Sequence, residues 1–66
     1  MNISEELRIS VLNDIIQNAR TRRDLWQITQ HCSLRELRAV CDLNGHDAED
    51  MTQADCLNAI KDDKGF

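Results

Sequence analysis

A start signal, an apolar side and a stop signal for one helix lie together in residues 33–45, which read Ser33-Leu34-Arg35-Glu36-Leu37-Arg38-Ala39-Val40-Cys41-Asp42-Leu43-Asn44-Gly45. The opening Ser-x-x-Glu is a capping box, in which the Ser hydroxyl accepts a hydrogen bond from the N3 backbone N–H and the Glu carboxylate accepts one from the N-cap N–H. We expect the helix to end at Asn44-Gly45, because glycine readily takes the left-handed conformation of a C-terminal cap. The predicted inward side chains are Leu34, Leu37, Val40 and Cys41.

Two further tetrads place Thr three residues ahead of an acid, and each precedes an apolar pattern of helical period. They are Thr21-Arg22-Arg23-Asp24 and Thr52-Gln53-Ala54-Asp55. Asp is expected to reach back to the cap less well than Glu, because its side chain is shorter. Another helix is expected to begin after Ser4, where two acids in the first turn favour the positive end of the helix dipole. With no Pro and no strand pattern, the sequence predicts an all-α protein, a small bundle of about four short helices.

The whole chain, 1–66, is predicted to be a single helical domain, and a chain this small buries only roughly 60% of its unfolded surface. The second helix is expected at about 22–31. One continuous helix from Ser4 to about His31 is an alternative, because no Gly or Pro interrupts the polar stretch between them. The predicted segments are an N-terminal helix or helix pair at 1–31, a helix–loop–helix unit at 33–61 and a frayed tail at 62–66.

The composition predicts a cytoplasmic protein with reduced thiols. The chain has three Cys, an odd number, and no C-x-x-C pair, which argues against a disulfide framework. No apolar run approaches the ~18 residues that a membrane span needs, and the N-terminus lacks the basic region and apolar stretch of a signal peptide. We expect no membrane partner.

The sequence predicts no metal site, no cofactor and no catalysis. The candidate ligands Cys32, Cys41, His46 and Cys56 are irregularly spaced, whereas zinc modules usually bring ligands in pairs two to four residues apart. Each Cys also fits the buried side of a helix or its start, where a free thiol packs as a small hydrophobe. No thiol has the local setting of an activated nucleophile, and so short a chain has little room for a ligand pocket of ~300 Å³ or more.

The first helix carries more apolar width than a thin core requires. Its stripe of period 3.6 consists of Leu7, Val11, Leu12, Ile15, Ile16 and Ala19. Ile9 lies off the centre of this stripe and widens it. Such width predicts contact with more than one neighbour or with a second copy of the chain, since surplus apolar surface usually marks an interface.

Charge and the single Trp supply the other binding candidates. The net charge is −4, but residues 20–41 carry an excess of arginine between acidic ends. The cluster at 20–23 is either a solvated turn or a patch that grips phosphate or carboxylate. Trp26 is expected in the core against the first helix, with an exposed interface anchor as the alternative. The predicted protein-binding residues are Ile9, Ile16, Trp26, Arg20, Arg22 and Arg23.

Two stretches resemble motifs of nucleic-acid-binding proteins. Residues 25–42 can be laid on a helix-turn-helix with Ser33 at the start of the recognition helix. Residues 33–60 contain Ser-Leu-Arg-Glu-Leu-Arg-Ala-Val-Cys, then Gly45, then Thr-Gln-Ala-Asp-Cys-Leu-Asn-Ala-Ile, and resemble the SAP and related helix-extended-loop-helix motifs. That resemblance implies nucleic-acid binding, or protein binding as in the related LEM domains. Gln53 stands where the SAP pattern has Lys, and the loop is acidic.

The function predicted from the sequence is a non-catalytic, small acidic protein-binding module, an adaptor or inhibitor that docks on another protein by an apolar helix face. So short a chain, starting at Met, is typical of proteins encoded by phages or mobile elements. Nucleic-acid binding is the alternative, although acidic ends repel phosphate. A homodimer that joins the basic middle to the acidic tail is a further alternative. The residues of the nucleic-acid alternative are Arg20, Arg22, Arg23, Arg35 and Arg38.

Overall fold

Four α-helices account for most of the chain. The computed structural model describes residues 4–66, and the helices are α1 (Glu5–Gln17), α2 (Arg22–Thr29), α3 (Leu34–Leu43) and α4 (Gln53–Lys64). Residues 4–66 contain no strand. The predicted all-α bundle of four short helices is confirmed, and the alternative of one helix continuing to His31 is wrong, because the chain leaves helical structure between α1 and α2.

Each helix starts at a Ser or Thr whose hydroxyl accepts a hydrogen bond from the backbone N–H three residues later. The four caps are Ser4, Thr21, Ser33 and Thr52, with donor–acceptor distances of 3.2, 3.1, 3.2 and 3.2 Å. Ser33 and Thr52 form complete capping boxes, with the return bond to Glu36 at 2.9 Å and to Asp55 at 3.1 Å. The expectation that Asp reaches back poorly is therefore wrong at Thr52, where the backbone brings the shorter carboxylate close enough.

The core is a single cluster to which all four helices contribute. Its buried members are Ile16, Ala19, Leu25, Leu37, Val40, Cys41, Ala48, Cys56 and Ile60. Helix α3 packs against both α1 and α4, and α1 also packs against α2. Three of the four predicted inward residues of α3 are buried, whereas Leu34 is 37% exposed. Leu34 is the first residue of α3, so it lies at the edge of the packing between α3 and its neighbouring helices.

The connection between α3 and α4 is fixed at several points. Gly45 has φ of +90°, the left-handed conformation expected after the end of α3. The backbone N–H of Ala48 donates to the Asp42 carboxylate at 3.1 Å, and Ala48 is buried in the core. Arg38 Nε donates to the Met51 carbonyl oxygen at 2.8 Å. The acidic loop thus presents its charged side chains outward from an anchored backbone.

The C-terminal residues are ordered by a cap and by contacts to the rest of the bundle. Helix α4 runs to Lys64, and Gly65 closes it in the left-handed conformation with φ of +76°. Lys64 Nζ donates to the Gln17 carbonyl oxygen at the end of α1 at 2.8 Å, and Phe66 packs against the core. Residues 62–64, which the sequence placed in a frayed tail, belong to α4 in the structure. None of the helices found between residues 4 and 66 is both long and apolar enough to cross a bilayer.

Truncating the centre of α3 should test its role in the core. Leu37 is fully buried, so we expect Leu37→Ala to lower the free energy of unfolding by about 2–5 kcal/mol through lost burial and the cavity left behind. Leu43→Ala, on the same helix at a side chain that is 56% exposed, should change it by no more than about 0.5 kcal/mol. Urea denaturation of both variants, followed by circular dichroism, is the measurement. Equal losses would contradict the core assignment.

Candidate protein-binding surfaces

Helix α1 has two apolar faces, of which only one meets the bundle. The inner face carries Ile16, which is fully buried, and Ile9 and Leu12, which pack against the core cluster. It contacts α2 and α3. The sequence placed Ile9 at the edge of a single broad stripe, whereas its side chain belongs to the inner face. An apolar pattern that covers more than half of a helix surface does not by itself indicate which part faces the core.

The second face of α1, called here the outer ridge, is formed by Leu7, Val11 and Ile15. These side chains are 54%, 51% and 47% exposed. They recur every four residues, so each lies about 40° around the helix from the last, and the ridge is about 12 Å long. Ile15 also borders a groove between α1 and α2, so the apolar surface continues onto the second helix. Large apolar side chains exposed together mark binding sites more often than isolated ones do.

Two residues predicted to bind a partner lie on the inner face of α1. Ile16 has no exposed surface, so it is not available to another protein in this structure. Ile9 packs against the core but is only half-buried, and its remaining surface borders a groove between α1 and α3. The three outer-ridge residues take their place as candidates. All three belonged to the predicted stripe, whose width predicted contact with more than one neighbour or with a second copy of the chain, but none of the three was singled out as a binding residue.

Trp26 is exposed, and the prediction that it packs in the core against the first helix is wrong. Its exposed fraction is 60%. The inward positions of α2 are taken by Leu25 and Thr29, both buried. The Thr29 hydroxyl donates to the Leu25 carbonyl oxygen at 2.8 Å, which satisfies its hydrogen-bonding need inside the core. The buried core of the bundle therefore does not include the indole ring of Trp26.

A groove lies beside Trp26 between α2 and α4, with a volume of about 330 Å³. We call it the Trp26 groove. Leu57 from α4, which is half-buried, contributes to its apolar part. Three cationic side chains also line it, Arg22 and Arg23 from α2 and Lys61 from α4. The sequence singled out the tryptophan and the two arginines but missed Leu57 and Lys61, because they lie more than thirty residues along the chain.

The five arginines predicted for nucleic-acid binding fall into different environments. Arg22 and Arg23 line the Trp26 groove, and Arg20 is exposed between α1 and α2. Arg35 Nη2 pairs with Glu5 Oε2 at 2.9 Å, and both side chains are largely exposed. Such an exposed pair contributes only ~0–1 kcal/mol to stability. Arg38 is bonded to the loop backbone, so two of the five are engaged within the fold.

The cysteines are partly or fully shielded by the fold. Cys41 and Cys56 are buried and Cys32 is half-buried, and Cys41 Sγ lies 3.6 Å from the Cys56 carbonyl oxygen. Burial, with the neighbouring Cys56 thiol as a smaller cause, raises the pKa of Cys41 to about 12. Burial also raises the pKa of Cys32, and the nearby Glu36 carboxylate adds to this. The raised pKa values keep the thiols of Cys32 and Cys41 in the protonated, poorly nucleophilic form at neutral pH.

The histidine in the loop pairs with a carboxylate rather than with the thiols. His46 Nε2 lies 2.8 Å from Asp63 Oδ2, which links the α3–α4 loop to the last turns of α4. Within the described part of the chain, no three His, Cys, Asp or Glu side chains come close enough together to hold a metal ion. Comparison of the chain with protein-family models, with curated proteins and with solved structures returned no match. The outer ridge and the Trp26 groove are therefore the candidate binding surfaces of the chain.

Thiol labelling should follow burial. In the native protein at pH 8 we expect a disulfide reagent such as 5,5′-dithiobis(2-nitrobenzoate) to modify Cys32 slowly and to leave Cys41 and Cys56 intact, because the half-buried Cys32 is partly accessible and the other two thiols are buried. In denaturant all three should react. The Cys32→Ala variant is the control and should lose the slow labelling of the folded protein. Rapid labelling of that variant in the native state would contradict the burial of the other two.

Proposed function

We propose that the protein is a non-catalytic binding module, an adaptor or inhibitor, that docks on another protein through the outer ridge of α1. The observation that carries this proposal is the exposure of Leu7, Val11 and Ile15 on a helix whose other apolar face is already buried. A 66-residue chain has few apolar residues with which to build its core. Three of them are exposed in a row on α1, which argues that they have a role other than core packing.

The shape of the outer ridge favours a helical partner surface. Side chains four residues apart form the ridges that pack into the grooves of a facing helix. Amphipathic helices bind such surfaces with anchors at the same spacing. The polar residues Arg8 and Asp14 lie on the two sides of the ridge, about 60° from Val11 in opposite directions. An apolar line with polar margins is the usual anatomy of a protein interface.

The outer ridge alone supplies a modest affinity. Full burial of a Val, Leu or Ile side chain is worth about 1.5–3 kcal/mol, so burying the exposed halves of three contributes roughly 2–4 kcal/mol. Association itself costs at least about 4 kcal/mol in lost rigid-body freedom. The partner must therefore also contact neighbouring surface, and the groove that Ile15 borders between α1 and α2 is continuous with the ridge.

A charge placed in the outer ridge should abolish docking without unfolding the bundle. We expect Val11→Asp to lose the protein that the wild type captures from lysate of its source cell, because a carboxylate in an apolar contact is costly to desolvate. The matched control is Ser10→Asp, which adds the same charge to an exposed position about 100° away on the same helix. Both variants should keep wild-type helicity by circular dichroism.

Comparison of Val11→Asp with Ser10→Asp separates an effect on the ridge from an effect of the added charge. Capture by Ser10→Asp but not by Val11→Asp supports docking through the ridge, and equal capture by both contradicts it. Sedimentation of the purified wild type tests whether a second copy of the chain binds the ridge. A homodimer that Val11→Asp dissociates would assign the ridge to a second copy of the chain instead of a different protein.

Nucleic-acid binding remains the second candidate function, and one observation favours it. Arg22 and Arg23 lie together at the start of α2 with Lys61 nearby, and residues 4–66 contain no ion pair that involves them. The SAP-like resemblance of residues 33–60 points to the same class. If this function is correct, gel retardation of duplex or single-stranded DNA or RNA should be strong at low salt and fall steeply as salt rises. The protein-binding proposal predicts no retardation.

A further inference from the structure

We propose that the Trp26 groove is a second docking site, which binds a peptide segment carrying an apolar side chain next to two or more carboxylates. The site is separate from the outer ridge, and the proposal does not rest on the ridge being a docking surface. It rests on three observations: an exposed indole, a groove of limited size, and three cations that line it, of which Arg22 and Arg23 form no ion pair within the described residues.

The apolar part of the groove is built to hold one or two side chains. Trp26 leaves 60% of its surface exposed, and Leu57 faces the same space of about 330 Å³. That volume is at the lower end of the range for ligand sites. Tryptophan is the residue most enriched at the energetic centres of protein interfaces, because it offers a large, rigid contact area. A single aliphatic or aromatic anchor fits this space.

The two arginines at the groove occupy positions in α2 where positive charge is unfavourable. Arg22 and Arg23 occupy the first two positions of the helix, where the positive end of the dipole disfavours positive charge. Within the described residues neither forms an ion pair, and Asp24 is the single acid in the first turn of α2 against these two cations. Lys61 adds a third positive charge from across the groove. Residues that are unfavourable for their local secondary structure occur most often at functional sites. The positive charge of Arg22, Arg23 and Lys61 makes this groove attractive to anions.

Carboxylates of a peptide match this arrangement better than a nucleic-acid backbone does. The chain as a whole carries a net charge of −4 although three of its cations line one groove, so the rest of the molecule is more acidic still. A polyanion longer than the groove would extend over this acidic surface and be repelled by it. Two planar guanidinium groups pair well with separate carboxylates, and the adjoining apolar surface needs a side chain that a phosphate backbone lacks.

Peptide display on the whole protein tests the proposal directly. A random dodecapeptide library is selected on the wild type, and the enriched peptides that lack Trp are titrated by the emission of Trp26, the single Trp of the chain. We expect enriched peptides to place two or more Asp or Glu beside Leu, Ile, Phe or Trp. Their affinity should fall at least tenfold in Arg22→Glu and in Lys61→Glu. Arg8→Glu, the same charge reversal at an exposed position on α1, should leave the affinity unchanged.

Several results would overturn the proposal. They are a selection that enriches no peptide, one that enriches neutral or basic peptides, and acidic peptides whose affinity is equal in wild type, Arg22→Glu and Lys61→Glu. Tighter binding of a single-stranded oligothymidylate of sixteen nucleotides than of the best peptide would assign the groove to nucleic acid instead. Because Val11→Asp does not alter the groove, it should still bind the selected peptides, and the two docking proposals can fail separately.

Discussion

Burial of apolar side chains on both sides of α3 holds the four helices together. Leu37, Val40 and Cys41 have no exposed surface, and α3 packs against α1 on one side and α4 on the other. In so small a domain the margin of stability is thin, so nearly every residue that can reach this cluster is drawn into it. The residues left outside, Trp26 and the outer ridge among them, are therefore informative. They remain exposed because the bundle is closed without them.

The helix starts could be predicted because the bonds that make them are local. A Ser or Thr cap and the N–H that it receives lie three residues apart, so Thr21, Ser33 and Thr52 each revealed a helix before any tertiary contact was known. Gly45 marked the end of α3 for the same reason. The quality of a cap was less predictable. Asp55 returns its bond to Thr52, whereas no return bond forms from Asp24, because a short carboxylate reaches the cap only when the local backbone brings it near.

The surfaces could not be assigned from the sequence, because they are decided between helices. Leu12 and Val11 are neighbours of similar apolar character, yet one faces the core and the other faces water. Only the positions of α2 and α3 distinguish them. The Trp26 groove depends even more on tertiary structure, since Leu57 and Lys61 reach it from α4. Sequence periodicity reports how much of a helix is apolar, and the contact with a neighbouring helix determines which part is buried.

The two surfaces complement each other chemically. In the proposed function, the outer ridge would bind by burial of apolar area, which is non-directional and supplies little selectivity. The Trp26 groove would add charge, which selects against wrong partners and speeds encounter. Neither is large enough for a stable interface, which normally buries about 800 Å² on each partner. If one partner engages both, the second contact becomes intramolecular and the affinities reinforce one another. Under the two docking proposals, a small chain with two modest sites would thereby gain both affinity and specificity.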